Sequence, residues 1–385
     1  MGKEEKLLLK YFFAALLAFA MFYTVLTRSS FYDEDGLPVA GIQNDTLKIS
    51  GENIAGSYAL LRLFESGKSP EEVYNPEIQT DFVKNVTGAN GVFRSFSAPT
   101  LPLVIVPFSE LAYGEFYSMW LTWGLFFFSA SLLLLFPFVQ AVLLSFAFPA
   151  LFYAFSFGGG GLSYAAALIF LLTKADKFPK TAGFIGGLSF VSPFYGSVCV
   201  VALFLKKCKA AAFLALAFGA FIVAGAFSRY GASGFLEAFE GGIAALKENP
   251  CGFASVIGAS ACSGASPVLA LVFQIFAIVL TVVAAFGIFK RKTAKENVKN
   301  AFFCAAVALC FPMFEAAQYA VLCASSAFLI CDVRERGSSG IFEKAVLLSV
   351  FLAPYADPFF AVSFGFSVIP VIAAGLAFVC RERSF

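Results

Sequence analysis

The chain contains no histidine, so acid–base catalysis by imidazole and metal or haem sites built on it are excluded. Its acidic residues are unevenly placed. Asp33-Glu34-Asp35, Asp45, Glu52, Glu65, Glu71, Glu72, Glu77 and Asp81 crowd into residues 28–97, and Glu237, Glu240 and Glu248 fall in 228–267. A carboxylate beside a reacting hydroxyl can take its proton as the oxygen attacks. Glu52 leads the candidates for that role, Asp45 is second and the Asp33-Glu34-Asp35 cluster third. At a helix start the dipole favours the Glu52 anion and weakens it as a base, whereas burial against a membrane acts in the opposite direction. Cations able to hold an anionic leaving group are Arg94 first, then Arg229, Lys247 and Arg62. Glu315 stands in a short turn between apolar runs, with Gln318 on the same face one turn on. Ionisable groups at membrane depth are costly and point to function, although a turn residue can also be solvated. No nucleotide site is expected: "GGGG" at 158–161 lacks the Lys-Ser/Thr of a phosphate-binding loop and reads as a flexible or close-packed turn. No cofactor or metal is called for.

The elements that must position these residues are membrane helices. The 385 residues are 59% hydrophobic and 14% charged, with a mean hydropathy of +0.82 and 51 phenylalanines. This predicts an all-α polytopic membrane protein, a single transmembrane domain over 1–385. Of the 27 lysines and arginines, 19 cluster at 3–10, 174–180, 206–209, 290–299, 334–344 and 381–383. The positive-inside rule makes those clusters cytoplasmic, and the acidic segments 28–97 and 228–267 extracytoplasmic. Spans are expected at 11–27, 181–191 with 194–205, 210–227, 268–289, 301–313, 318–331, 344–355 and 361–380. Four further apolar stretches lie at 98–112, 116–136, 138–155 and 160–173. Parity requires one not to cross, and 98–112, with Pro99, Pro102 and Pro107, is the suspect. The total is about twelve crossings in a cell membrane, with both termini cytoplasmic. Cys251 and Cys262 share the second outward loop, where a disulfide is open to them.

Within the first outward loop, 52–66 is amphipathic at helical spacing. Ile54, Tyr58, Leu60, Leu61, Leu63 and Phe64 form a broad apolar arc. Glu52, Ala55, Gly56, Ala59, Arg62 and Ser66 form a narrow face, and Glu65 falls on the wrong side. Such a helix is expected to lie in the membrane interface, its small-residue side leaving room for an approach to Glu52. Ser69-Pro70-Glu71-Glu72 announces a second interfacial helix, expected to run to about Lys84. Both helices could equally serve only as a lid.

In this order of elements the chain resembles the glycosyltransferase C superfamily, and most of all its polyprenyl-phosphate-mannose-dependent mannosyltransferases. The similarity is carried by Glu52, Tyr58-Ala59-Leu60-Leu61, Gly67 and Pro70 to Tyr74, then by "FRSFSAPTLPL" (93–103) leading into a span. It continues through "FGGGGLSY" (157–164), "AGFIGGLSFVSPFYG" (182–196), "KKCK" (206–209) and "FPMFEAAQY" (311–319). The chain departs from the family pattern at three places. Glu52 stands where aspartate is usual, Ser192 where a lysine precedes proline, and Glu315 to Gln318 where histidines are usual.

The resemblance implies an inverting transferase with an extracytoplasmic site, moving a hexose such as mannose from a polyprenyl-phosphate donor to a glycan or glycolipid acceptor. It implies Glu52 or Asp45 as base, Arg94, Arg229, Lys247 and Arg62 as donor-phosphate ligands, and Glu315 and Gln318 in the donor pocket. The alternative is a polytopic transporter or lipid flippase. Such proteins show internal repeats and charged groups near mid-bilayer, and this sequence shows neither clearly.

Overall fold

The computed structural model describes residues 39–43, 46–49, 52–87, 95–248 and 250–384. The expected first span, Asp33-Glu34-Asp35, Asp45 and Arg94 lie outside the described residues. A short antiparallel hairpin, β1 (Val39–Gln43) and β2 (Thr46–Ile49), precedes a chain that is otherwise helical. Among the described residues three helical stretches are long and apolar enough to cross a membrane: Lys209–Glu248, Pro267–Lys290 and Ala316–Arg336. Phe138–Ala147 and Ala150–Phe157, bent by 45°, make a fourth if counted as one span.

The chain packs as two compact units. The first comprises residues 24–126 and 154–244. It contains α1 (Glu52–Glu65), α2 (Pro70–Val73), α3 (Pro76–Thr87) and α4 (Thr100–Ile105), and α5 (Tyr113–Leu132) begins in it. Further along lie α8 (Gly161–Lys174), α9 (Pro179–Leu188), α10 (Pro193–Leu205) and most of α11 (Lys209–Glu248); α6 and α7 are the bent pair above. Residues 100–108 form a six-residue helix and one 3-10 turn, too short to cross.

The second predicted loop helix is divided. Ser69 accepts from Glu72 N, and the Glu72 carboxylate accepts from Ser69 N, so the cap is the expected one. That bond from Ser69, reinforced by Lys68, holds the Glu72 carboxyl below its ordinary range. Pro76 cannot continue the helix from Tyr74, and the Asn75 side chain recaps the chain by accepting from Glu77 N and Ile78 N.

α11 carries the sharpest backbone feature. Gly231 has φ 73° and ψ 177°, a region open essentially to glycine alone, and it kinks a 40-residue helix. Gly231→Ala should cost about 1–3 kcal/mol through this strain. Gly287→Ala, in open space within Pro267–Lys290, should be neutral or stabilising. Thermal unfolding in detergent compares the two.

Among the described residues the second unit comprises 127–153, 245–248 and 250–384. It holds α12 (Val256–Cys262), α13 (Pro267–Lys290), α14 (Glu296–Cys310), α15 (Ala320–Arg336), α16 (Ile341–Phe364) and α17 (Ile369–Arg383). Cys251 and Cys262 are disulfide-bonded. Helices end at basic residues where predicted, at Lys290 and Arg336. The last pair breaks later than expected. α16 continues through Pro354 and Pro358 and stops before Gly365 (φ 72°), whose missing side chain lets Cys262 O come close. Asp357 lies within this helix. Its carboxylate caps the next helix, accepting from Ser367 Oγ and Val368 N at 2.8 Å each.

Candidate functional site

The candidate site is built on α1, and α1 is not a helix lying on a surface. One side, Ile54, Tyr58 and Leu61, packs into a cluster with Leu101, Ile105, Tyr113, Phe116 and Tyr117. Another side, Leu60 and Leu63, packs against Val73, Tyr74 and Ala238. The small-residue side is closed as well: Ala55, Gly56 and Ala59 are buried. The open approach expected along that side is therefore filled by protein, because small residues admit neighbouring elements at close range.

Polar groups in this packing are satisfied locally. The Tyr58 hydroxyl donates to Leu111 O at 2.8 Å, and the Tyr74 hydroxyl donates to Ser97 O at 2.8 Å. Burial pushes both phenols above their ordinary range, and they stay protonated as donors. The buried Gln79 side chain donates to Val73 O at 2.8 Å and accepts from Ser95 N at 2.7 Å. These bonds tie Val73 and Ser95 to α3.

The C-terminal end of α1 gathers charge. Glu65, the residue off the predicted polar face, pairs with Arg229 at 2.7 Å. The Arg229 guanidinium lies 5.7 Å from the Tyr230 ring centroid, and that ring packs on Phe64 with centroids 4.2 Å apart. Arg62 donates to Ser109 O. Glu52 begins the same helix at its other end, about 20 Å away at ~1.5 Å rise per residue. Along α1, Arg62 stands about 15 Å and the Glu65–Arg229 pair about 20 Å from Glu52, and in the structure both arginines tie α1 to its surroundings.

The remaining candidates fall in the second unit. Lys247 is exposed at the last turn of α11. Glu315 and Gln318 close a 3-10 turn on each other: the Glu315 side chain accepts from Gln318 N, and Gln318 Oε1 accepts from Glu315 N. Each side chain has a structural task there.

The same unit holds a charged cluster that sequence reading missed. Asp332 and Glu343, 1% and 3% exposed, sit just before and within the basic segment 334–344. Arg336 bonds Asp332 at 2.7 Å and Glu343 at 2.6 Å, and Arg383 bonds Glu343 at 2.8 Å. Lys295 lies 3.7 Å from Asp332. The i, i+4 spacing of Asp332 and Arg336 was a usable signal, and the link to Arg383 had none. Among the described residues no group of three or more acidic or cysteine side chains is placed to hold a metal ion. The chain matches no protein-family model, no curated protein and no solved structure.

Proposed function

We propose that the protein is an integral-membrane glycosyltransferase that moves a hexose from a polyprenyl-phosphate donor to a glycan or glycolipid acceptor at the extracytoplasmic face. The observation that carries this reading is the build of residues 52–108: a carboxylate-led helix packed into a unit of apolar helices. Such a helix brings an acid to the level of lipid headgroups, where a tethered donor presents its sugar. Glu52 is the proposed base, with Asp45 behind it, and Arg94 is the proposed phosphate contact. Glu315, Gln318 and Lys247 remain proposed donor-pocket and phosphate residues of the second unit. The reading keeps about twelve crossings arranged as in the superfamily it resembles, several of them short or broken.

The Cys251–Cys262 bridge supports the outward placement of 228–267, since disulfides persist in oxidising compartments. A transporter reading would look to the buried Asp332 and Glu343. Their pairing with Arg336 and Arg383 neutralises them in place, which suits a structural tie better than an ion path.

The test is transfer of radiolabelled sugar from polyprenyl-phosphate donors by the purified protein. Turnover that depends on added acceptor supports the assignment. Absence of transfer across a panel of sugar donors and acceptors overturns it.

A further inference from the structure

The first unit is shallower on one side than on the other. On α5 the exposed residues down to Thr122 are Glu115, Ser118 and Thr122 itself, and below them come Trp123, Phe126 and Phe127. A helix facing lipid keeps apolar side chains outward through the hydrocarbon layer and aromatic rings at its edge. By that criterion the apolar exterior of α5 begins near Trp123. About 10 Å of helix separates Tyr113 from Trp120, and about 15 Å separates it from Trp123, at ~1.5 Å per residue.

Two further features reach the same level. The Trp120 indole N–H donates to Gly159 O at 2.9 Å, and the Tyr117 hydroxyl donates to Phe155 O at 2.9 Å. These bonds pin the turn before α8 well beneath the start of α5. From that turn α8 needs only 14 residues to reach Lys174, a length of about 21 Å. α10 has 13 residues between Ser192 and the basic cluster at 206–209, or about 20 Å. The Tyr164 and Tyr195 rings stack at 3.9 Å, so the starts of α8 and α10 lie side by side. Thr100 Oγ1 donates to Val191 O at 2.9 Å, seating α4 on this floor. A hydrocarbon core is about 30 Å thick. α11, in contrast, runs about 33 Å from Lys209 to Gly231, with exposed apolar residues from Phe213 to Phe227.

We propose that the membrane surface dips by about 10 Å along α5, and that phosphate-bearing lipid headgroups occupy the dip. The partner is the lipid surface itself. Under the topology of the proposed function the dip lies in the outer leaflet, and it brings the head of a lipid-linked donor down to the floor formed by the Gly158–Gly161 turn and Ser192. Only the choice of leaflet and of donor rests on that reading; the depth does not.

The chain's two tryptophans, Trp120 and Trp123, both lie on α5. Trp120→Phe leaves Trp123 as the sole indole. Reconstituted in phosphatidylcholine vesicles brominated near either the carbonyl end or the methyl end of the acyl chain, it should be quenched more by the shallow bromines. An undistorted bilayer with Tyr113 at its edge puts Trp123 near mid-plane, and stronger quenching by the deep bromines would overturn the proposal. A second pair of variants needs no fluorescence. Thr122→Lys, at headgroup level, should leave the yield of folded protein unchanged, and Phe126→Lys, one turn deeper, should collapse it. Equal loss from both would also overturn the dip. Neither readout involves a sugar donor, so failure of transfer would remove the proposed reaction and leave this inference standing.

Discussion

Glu343→Ala will destabilise the second unit by about 3 kcal/mol or more, because it leaves two guanidinium groups facing each other without their shared carboxylate. Glu343 is 3% exposed and bonds Arg336 at 2.6 Å and Arg383 at 2.8 Å. Its second oxygen also accepts from Gly340 N at 3.3 Å, closing the turn between α15 and α16. The arginines keep some contact with solvent, 18% and 34%, which places the expected loss toward the lower end of the range for broken buried pairs. Thermal unfolding in detergent should therefore show a large drop for Glu343→Ala. Replacing Arg383 as well, in a Glu343→Leu/Arg383→Leu double variant, should recover much of it. The Glu65–Arg229 pair gives the contrast. With side chains 30% and 46% exposed, its removal should change stability by less than about 1 kcal/mol.

Glu52→Gln should reduce sugar transfer by about a hundredfold to ten-thousandfold, the range for loss of a positioned general base. Glutamine preserves size at the helix start and forfeits the favourable interaction of a charge with the dipole, about 0.3–1 kcal/mol. Folding and donor binding should survive, so the loss falls on turnover. Arg229→Gln is the informative control. It removes a cation about 20 Å away along α1 and should leave the chemical step nearly unchanged. Full activity in Glu52→Gln would move the base to Asp45. Loss in Arg229→Gln with activity kept in Glu52→Gln would move the site to the other end of the helix.

Much of the helical layout was legible because it depends on local signals. Apolar runs bounded by lysine and arginine end where Lys174, Lys290 and Arg336 stand, since a cation in the last turn complements the helix dipole. The cap at Ser69 could be read from four consecutive residues, and the Cys251–Cys262 pair from their shared loop. Pairings over long separations carried no such mark. Glu65 meets Arg229 across 164 positions, yet the sequence did hold a hint: a carboxylate off the polar side of its helix needs a partner. Asp332 and Glu343 were hidden by their basic neighbours, which made a buried cluster look like a solvated turn. The embedding of α1 was missed for a related reason. Ala55, Gly56 and Ala59 are as compatible with an open face as with a tightly covered one, and only the tertiary neighbours decide between them.

The bridge between Cys251 and Cys262 also governs how the protein has to be produced. Synthesised where thiols stay reduced, the chain would leave the 228–267 segment unclosed and carry two additional reactive sulfurs, whereas the seven other cysteines are buried or half-buried and chemically quiet. A preparation in which a small alkylating reagent finds these two sulfurs without prior reductant has been made in the wrong compartment, and its failure in an assay would say nothing about the native protein.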